Sequence, residues 1–250
     1  MNTQKQEVLA QIINPRGKTV ILPMDHGVSD GPIPGLVDME PTLKKAREGG
    51  VSAIVIHKGI FKKYKNVIGD LPTFIHISAS TGMGNVLKKV LIATPQEVKD
   101  MGAQGVSIHL NLGNEYESEM LADLGRISRE CEELGLPLLA MMYPRREVNG
   151  EIITYKEVEK VKHAARLAAE LGADIVKVPY TGSAETFREV VAGCHIPVVI
   201  AGGAKGSEEE IMNAIKECMS SGASGISVGR NIFQSENMVE MIQKVKDIVL

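Results

Sequence analysis

Eight short apolar runs, separated by polar segments of helical periodicity, constrain this chain more than any other feature. The runs occupy residues 18–24, 51–57, 73–78, 105–110, 136–142, 174–179, 197–201 and 225–228. A continuous apolar run is what a strand of a parallel sheet becomes when both of its faces are covered. Polar, helix-patterned stretches lie between them, at 40–48, 95–101, 116–134, 156–171, 207–221 and 236–249. The way into each strand alternates as well. Gly50, Gly102, Gly172 and Gly222 precede the second, fourth, sixth and eighth runs, as expected of left-handed helix C-caps. Pro72, Pro137 and Pro197 precede the third, fifth and seventh, where a missing N–H costs no interior ladder bond. Eight such units in 250 residues match the size of a (βα)8 TIM barrel better than an open doubly wound sheet. Apolar residues at 8–10 and 12–13 predict a short N-terminal helix covering one end of the core. No linker or low-complexity segment interrupts residues 1–250, so a single domain is expected.

Composition excludes several classes of function. With 24% charged residues and a net charge of -3, the chain has no general electrostatic reason to bind nucleic acid or an anionic membrane. No apolar run approaches the roughly 18 residues that span a bilayer. Cys131, Cys194 and Cys218 are odd in number and widely spaced, which fits a reducing cytoplasm rather than a disulfide scaffold.

In a barrel, chemistry gathers where the strands end. Lys177 lies within the sixth strand between Val176 and Val178. An apolar strand strips water from an ammonium and favours the neutral amine, a nucleophile toward ketones. The bland alternative is a lysine that snorkels to solvent. Asp25, His26 and Gly27 follow the first strand, and Asp25 could move a proton at a substrate carbon or hydroxyl. Tyr143, Pro144 and Arg145 follow the fifth, with Tyr143 a candidate proton donor. Gly202-Gly203 and Gly229-Arg230 follow the seventh and eighth strands, where barrels commonly hold phosphate; Arg230 and Lys205 would add charge. Against this, Ser207 with Glu210 reads as an ordinary capping box. His26, His57, His76 and His109 match no compact metal motif, and hydrogen bonding within the site is the expected role. No metal or cofactor is expected.

Assembled in order, residues 24–27 (MDHG), 142–145 (MYPR), the Lys177 strand, 201–203 (AGG) and 228–231 (VGRN) carry a family likeness. The chain resembles the archaeal-type class I aldolases of the DhnA group over essentially its whole length. Residues 23–29, 107–111 and 140–143 make the closer likeness one to its aminodideoxyheptulosonate-forming members. The resemblance implies a Schiff base on Lys177, Asp25 as base and Tyr143 as proton donor. It implies substrate contacts at Asp25, His26, Gly27, Val28 and Ser29, at Tyr143, Pro144 and Arg145, and at Lys177. It implies phosphate contacts at Gly202, Gly203, Lys205, Gly229 and Arg230. The reaction implied is transfer of a three-carbon fragment from a phosphorylated ketose to a small aldehyde, within a homo-oligomer of up to ten copies. A fructose-bisphosphate aldolase, or an enzyme condensing aspartate semialdehyde with dihydroxyacetone phosphate, is the near alternative. A metal-dependent aldolase and a non-catalytic sugar-phosphate sensor are more distant ones. The chain departs from the family at Arg146, where glycine is usual, and at Ala204 and Gly206 in the GGPKT loop. The second arginine, beside the donor tyrosine, is expected to influence which acceptor binds.

Overall fold

The computed structural model describes residues 3–202 and 206–250. In chain order it runs α1 (Thr3–Ile12), β1 (Thr19–Pro23), α2 (Gly27–Asp30), α3 (Met39–Gly49), β2 (Ala53–Ile56), α4 (Lys58–Ile68) and β3 (Thr73–His76). There follow β4 (Ser78–Ala79), β5 (Val90–Leu91), α5 (Pro95–Met101), β6 (Gly105–Leu112), α6 (Glu117–Leu134), β7 (Leu138–Val148) and β8 (Glu151–Thr154). The chain ends with α7 (Val158–Glu170), β9 (Ile175–Val178), α8 (Ala184–Ala192), β10 (Val198–Ala201), α9 (Glu208–Ser220), β11 (Gly225–Ser227), α10 (Arg230–Phe233) and α11 (Met238–Val249).

Among the described residues, β1, β2, β3, β6, β7, β9, β10 and β11 pair in parallel in that order, and β11 returns to β1. The expected (βα)8 barrel is therefore present, with all eight apolar runs as its staves. Two additions were not expected. Strands β4 and β5 form an antiparallel hairpin above β3, and β7 overshoots the barrel to pair antiparallel with β8. Helices α4 and α8 supply crossovers that the helix-patterned stretches did not include.

The barrel strands obey the period-two rule, and this decides what reaches the site. Along β7, Leu138, Ala140 and Met142 pack outward under the helices, whereas Leu139 and Met141 join Ile21, Val55, Phe74, Ile175 and Val199 inside. Helix α1 covers the N-terminal end as anticipated: Ile12, 1% exposed, belongs to the inner cluster. Its Lys5 ammonium is buried against Glu132 Oε2 at 2.7 Å and Asp174 Oδ2 at 2.9 Å, tying the helix to α6 and to the foot of β9. No helix among the described residues is long and apolar enough to cross a membrane.

Gly50 and Gly102 cap α3 and α5 in the left-handed region, at φ 70° and 78°, which an L side chain adopts only with strain. Gly225 has a different duty. It sits opposite Thr19 at the seam that closes the barrel, and a Cβ there would fall on the Thr19 carbonyl oxygen. Gly225→Ala should therefore lower unfolding free energy by about 3 kcal/mol, roughly 6–12 °C in Tm. Gly125, mid-helix with open space around it, is the control. Gly125→Ala should raise stability by about 1 kcal/mol. Thermal melts read both, and equal melting temperatures for the two variants would refute the seam argument.

Candidate active site

Three of the strand-end side chains converge because of the alternation just described. Lys177 pairs with Met141 of β7 and Val199 of β10, both inner-cluster residues, so its side chain points into the barrel. Val176 and Val178 belong to the outer cluster. They were expected to desolvate the lysine; instead Met141 and Val199 line its flanks, and Lys177 is 7% exposed. Tyr143, two residues beyond Met141, faces inward by the same rule. His109 stacks on its ring at 4.8 Å and the Arg145 guanidinium lies 4.3 Å from the ring centroid. Asp25 follows β1 with Oδ1 3.7 Å from His26 Nδ1 and Oδ2 3.9 Å from His76 Nε2.

These groups line a chamber of about 320 Å³ that also takes in His26, Val28, Ser29, Arg145 and Arg230. A smaller lobe of about 150 Å³ shares Lys177, Tyr143, Arg145, His26 and Arg230 and adds Gly202, Ser227 and Gly229. The Ser227 hydroxyl is buried there, with no hydrogen-bond partner among the described residues. Gly229 is forced to be glycine, since a Cβ would come within 2.6 Å of the Pro23 carbonyl oxygen and 2.8 Å of His26 Cε1. Gly203 and Lys205 lie outside the described residues. The Ser207–Glu210 capping box is present and accounts for Ser207 structurally.

Period two also corrects two expectations. Pro144 and Arg146 face the other side of β7, where they line a separate cavity with Tyr155 and Lys160. Arg146 donates from Nε to the Tyr155 hydroxyl at 2.7 Å. Pro144 therefore presents no side chain to the chamber, and the departure at Arg146 does not reach it. Gly27, the first residue of the short α2, offers backbone alone.

Hydrogen bonds organise the histidines. His57 Nδ1 meets the His76 carbonyl oxygen at 3.0 Å, and His76 Nδ1 meets Ser107 Oγ at 3.0 Å. His109 Nε2 meets Asn111 Oδ1 at 2.9 Å. Burial pushes all of these imidazoles down, His76 to about 3 and His109 well below its ordinary value, so they are neutral at physiological pH. Among the described residues no group of three or more His, Cys, Asp or Glu side chains is arranged to hold a metal ion. For Asp25, burial pushes the carboxyl up, but the field of His76, His26 and Lys177 outweighs it and holds the group below its ordinary value. Asp25 is a carboxylate at neutral pH.

Lys89, just before β5, also lines the chamber, and sequence reasoning missed it. Nothing around it in the sequence marks a site; it arrives there only because the hairpin folds over the strand ends.

Comparison with known proteins agrees with the architecture and the chemistry. The chain is 41% identical over 236 residues to a 2-amino-3,7-dideoxy-D-threo-hept-6-ulosonate synthase of Archaeoglobus fulgidus, covering 93% of this chain and 86% of that one. It is 34% identical to a 2-amino-4,5-dihydroxy-6-oxo-7-(phosphonooxy)heptanoate synthase of Streptomyces griseus, over 92% and 84% of the two chains. Among solved structures, an archaeal fructose-1,6-bisphosphate aldolase with its catalytic lysine bound to a carbinolamine superposes at a TM-score of 0.89. That match has 31% identity and covers 98% of this chain and 99% of that one. The sequence profile of the DeoC/LacD family aldolases matches residues 19–235, and the chain belongs to that family.

Proposed function

We propose that the chain is a Schiff-base transaldolase that forms 2-amino-3,7-dideoxy-D-threo-hept-6-ulosonate from a 1-deoxy-hexodiulose 6-phosphate and L-aspartate semialdehyde. The observation that carries this reading is the convergence of Lys177, Asp25 and Tyr143 on one chamber. The Lys177 amine adds to the C2 ketone of the donor, and loss of the ketone oxygen as water leaves an imine that carries the proton of the lysine's ammonium. Asp25 takes the C4 hydroxyl proton as the C3–C4 bond breaks, and the bonding pair runs into the imine to give an enamine. The departing aldehyde takes the phosphate with it; the fragment kept on the lysine ends in a methyl group. The enamine carbon attacks the semialdehyde carbonyl while Tyr143 gives a proton to the new alkoxide. Water then releases product and Lys177. The proton held by Asp25 makes good the one lost by Tyr143.

The smaller lobe favours a second substrate class. Gly202, Gly229, Arg230 and the Ser227 hydroxyl, which has no partner among the described residues, suit a phosphate on the fragment that stays bound. Fructose bisphosphate and dihydroxyacetone phosphate carry one there; the methyl-ended donor does not. Incubating the enzyme with each donor and L-aspartate semialdehyde, then weighing the products, decides between them. A seven-carbon product lacking phosphate is expected from the methyl-ended donor, formed at the higher kcat/KM. Exclusive turnover of phosphate-ended fragments would sink the first reading and establish the second. Arg230→Ala should raise KM for phosphate-ended substrates roughly 10- to 100-fold and change that for the methyl-ended donor little. Equal losses on both would remove the phosphate from the lobe. Turnover should survive EDTA. The reading places residues 1–250 as one catalytic unit in a homo-oligomer of the reducing cytoplasm, where Cys131, Cys194 and Cys218 stay free.

A further inference from the structure

The chamber has a second cationic pole that the mechanism leaves unused. Strand β3 lies four steps around the barrel from β10 in either direction, so the hairpin above β3 stands across the mouth from Gly202. Lys89 rides on that hairpin and lines the large chamber but not the smaller lobe. Its position is built rather than incidental. Lys89 Nζ donates to Ser80 Oγ at 2.6 Å, and Ser80 Oγ donates to the Val86 carbonyl oxygen at 3.2 Å. Fully buried Asn111 holds the same turn from below, donating from Nδ2 to the carbonyls of Val86 and Leu87 at 3.2 and 3.0 Å. Among the described residues no carboxylate comes within ion-pair distance of the ammonium, and the hydroxyl of Ser80 is its hydrogen-bond partner. A half-buried cation with one neutral partner is under-solvated, and it gains most from an anion. Burial first, and then the charge of Arg145, lower the Lys89 ammonium to about 8, so it is still charged at neutral pH.

We infer that Lys89 binds the anionic tail of the aldehyde half of the reaction, which on the transaldolase reading is the carboxylate of L-aspartate semialdehyde. Outgoing and incoming aldehydes meet the same enamine carbon, so the donor's departing phosphate occupies this pole first and the acceptor's carboxylate replaces it. The two anion poles then divide the substrates: Arg230 serves the fragment on the lysine, and Lys89 serves what is joined to it or cut from it.

The experiment compares wild type, Lys89→Met and Lys89→Arg. With L-aspartate semialdehyde as acceptor, Lys89→Met should raise KM about 10- to 100-fold, as for loss of a charge-assisted hydrogen bond. Lys89→Arg should restore most of it. With propanal, which has no charged tail, KM should not change. Borohydride trapping of dihydroxyacetone phosphate on the enzyme, which needs only the fragment side, should match wild type and shows that the variant is folded. An equal shift with both aldehydes, or none with either, overturns the subsite. If wild type uses no carboxylate-bearing aldehyde, the transaldolase reading fails separately, and Lys89 is read by comparing glyceraldehyde 3-phosphate with glyceraldehyde. A shift confined to the phosphorylated aldehyde keeps the subsite; equal shifts overturn it.

Discussion

Lys177→Arg should lower turnover by at least about 10⁴-fold and yield no borohydride-trapped adduct with any ketose. A guanidinium stays protonated and cannot add to a carbonyl. The companion Lys177→Met separates chemistry from folding. Met141 and Val199 flank the position within an apolar inner cluster, so an unbranched thioether fits where the amine stood. The apolar chain spares the cost of burying an amine but also removes the Lys177 field from Asp25. Lys177→Met should therefore remain folded and melt cooperatively while being inactive. Measurable turnover by either variant, or an adduct mapped to another lysine such as Lys89, would take Lys177 out of the mechanism.

Asp25→Asn should lower kcat by roughly 10²- to 10⁴-fold yet still allow trapping of a ketose adduct, because the amide cannot take a proton but imine formation does not need it to. That split distinguishes it from the Lys177 variants. The pH profile gives a second readout. The carboxyl is held below its ordinary value by the surrounding imidazoles and Lys177. A depressed carboxyl is charged at neutral pH, and both its service as base and its contribution to native stability fade only as pH falls through the lowered value. The acid limb of kcat/KM due to Asp25 should accordingly lie below about 4. The asparagine variant should lack it. A variant with near-normal kcat and the same acid limb would exclude Asp25 as the base.

Much of the scaffold was legible because a barrel strand has a distinctive signature: apolar on both faces, with glycine or proline ahead of it. Lys177 stood out for the opposite reason, as a charge in such a strand. The roles of Asp25 and Tyr143 came from family likeness, since an aspartate after a strand and a half-buried tyrosine each have ordinary explanations. What stayed hidden is instructive. Strands β4 and β5 are two residues each, too short for any periodicity to register. Lys89 is held at the chamber by its own hydrogen bond to Ser80 and by those of Asn111 to the Val86 and Leu87 carbonyls, which no local pattern encodes. Pro144 came with the family likeness; the emphasis on Arg146, Val176 and Val178 has another origin. Sequence neighbours were taken as spatial neighbours, whereas adjacent residues of a strand look in opposite directions.

The division between staves and hairpins also bears on how such proteins diversify. Lys177 is pinned by backbone pairing on both flanks and Tyr143 by pairing with Asn111 of β6, and shifting either would disturb the cylinder. The hairpin that carries Lys89 touches the cylinder at one edge and can change length or composition without disturbing the strand pairing beneath it. A lineage can thus alter the partner it accepts by editing a dozen or so residues outside the cylinder, and it need not reinvent the cleavage of a carbon–carbon bond.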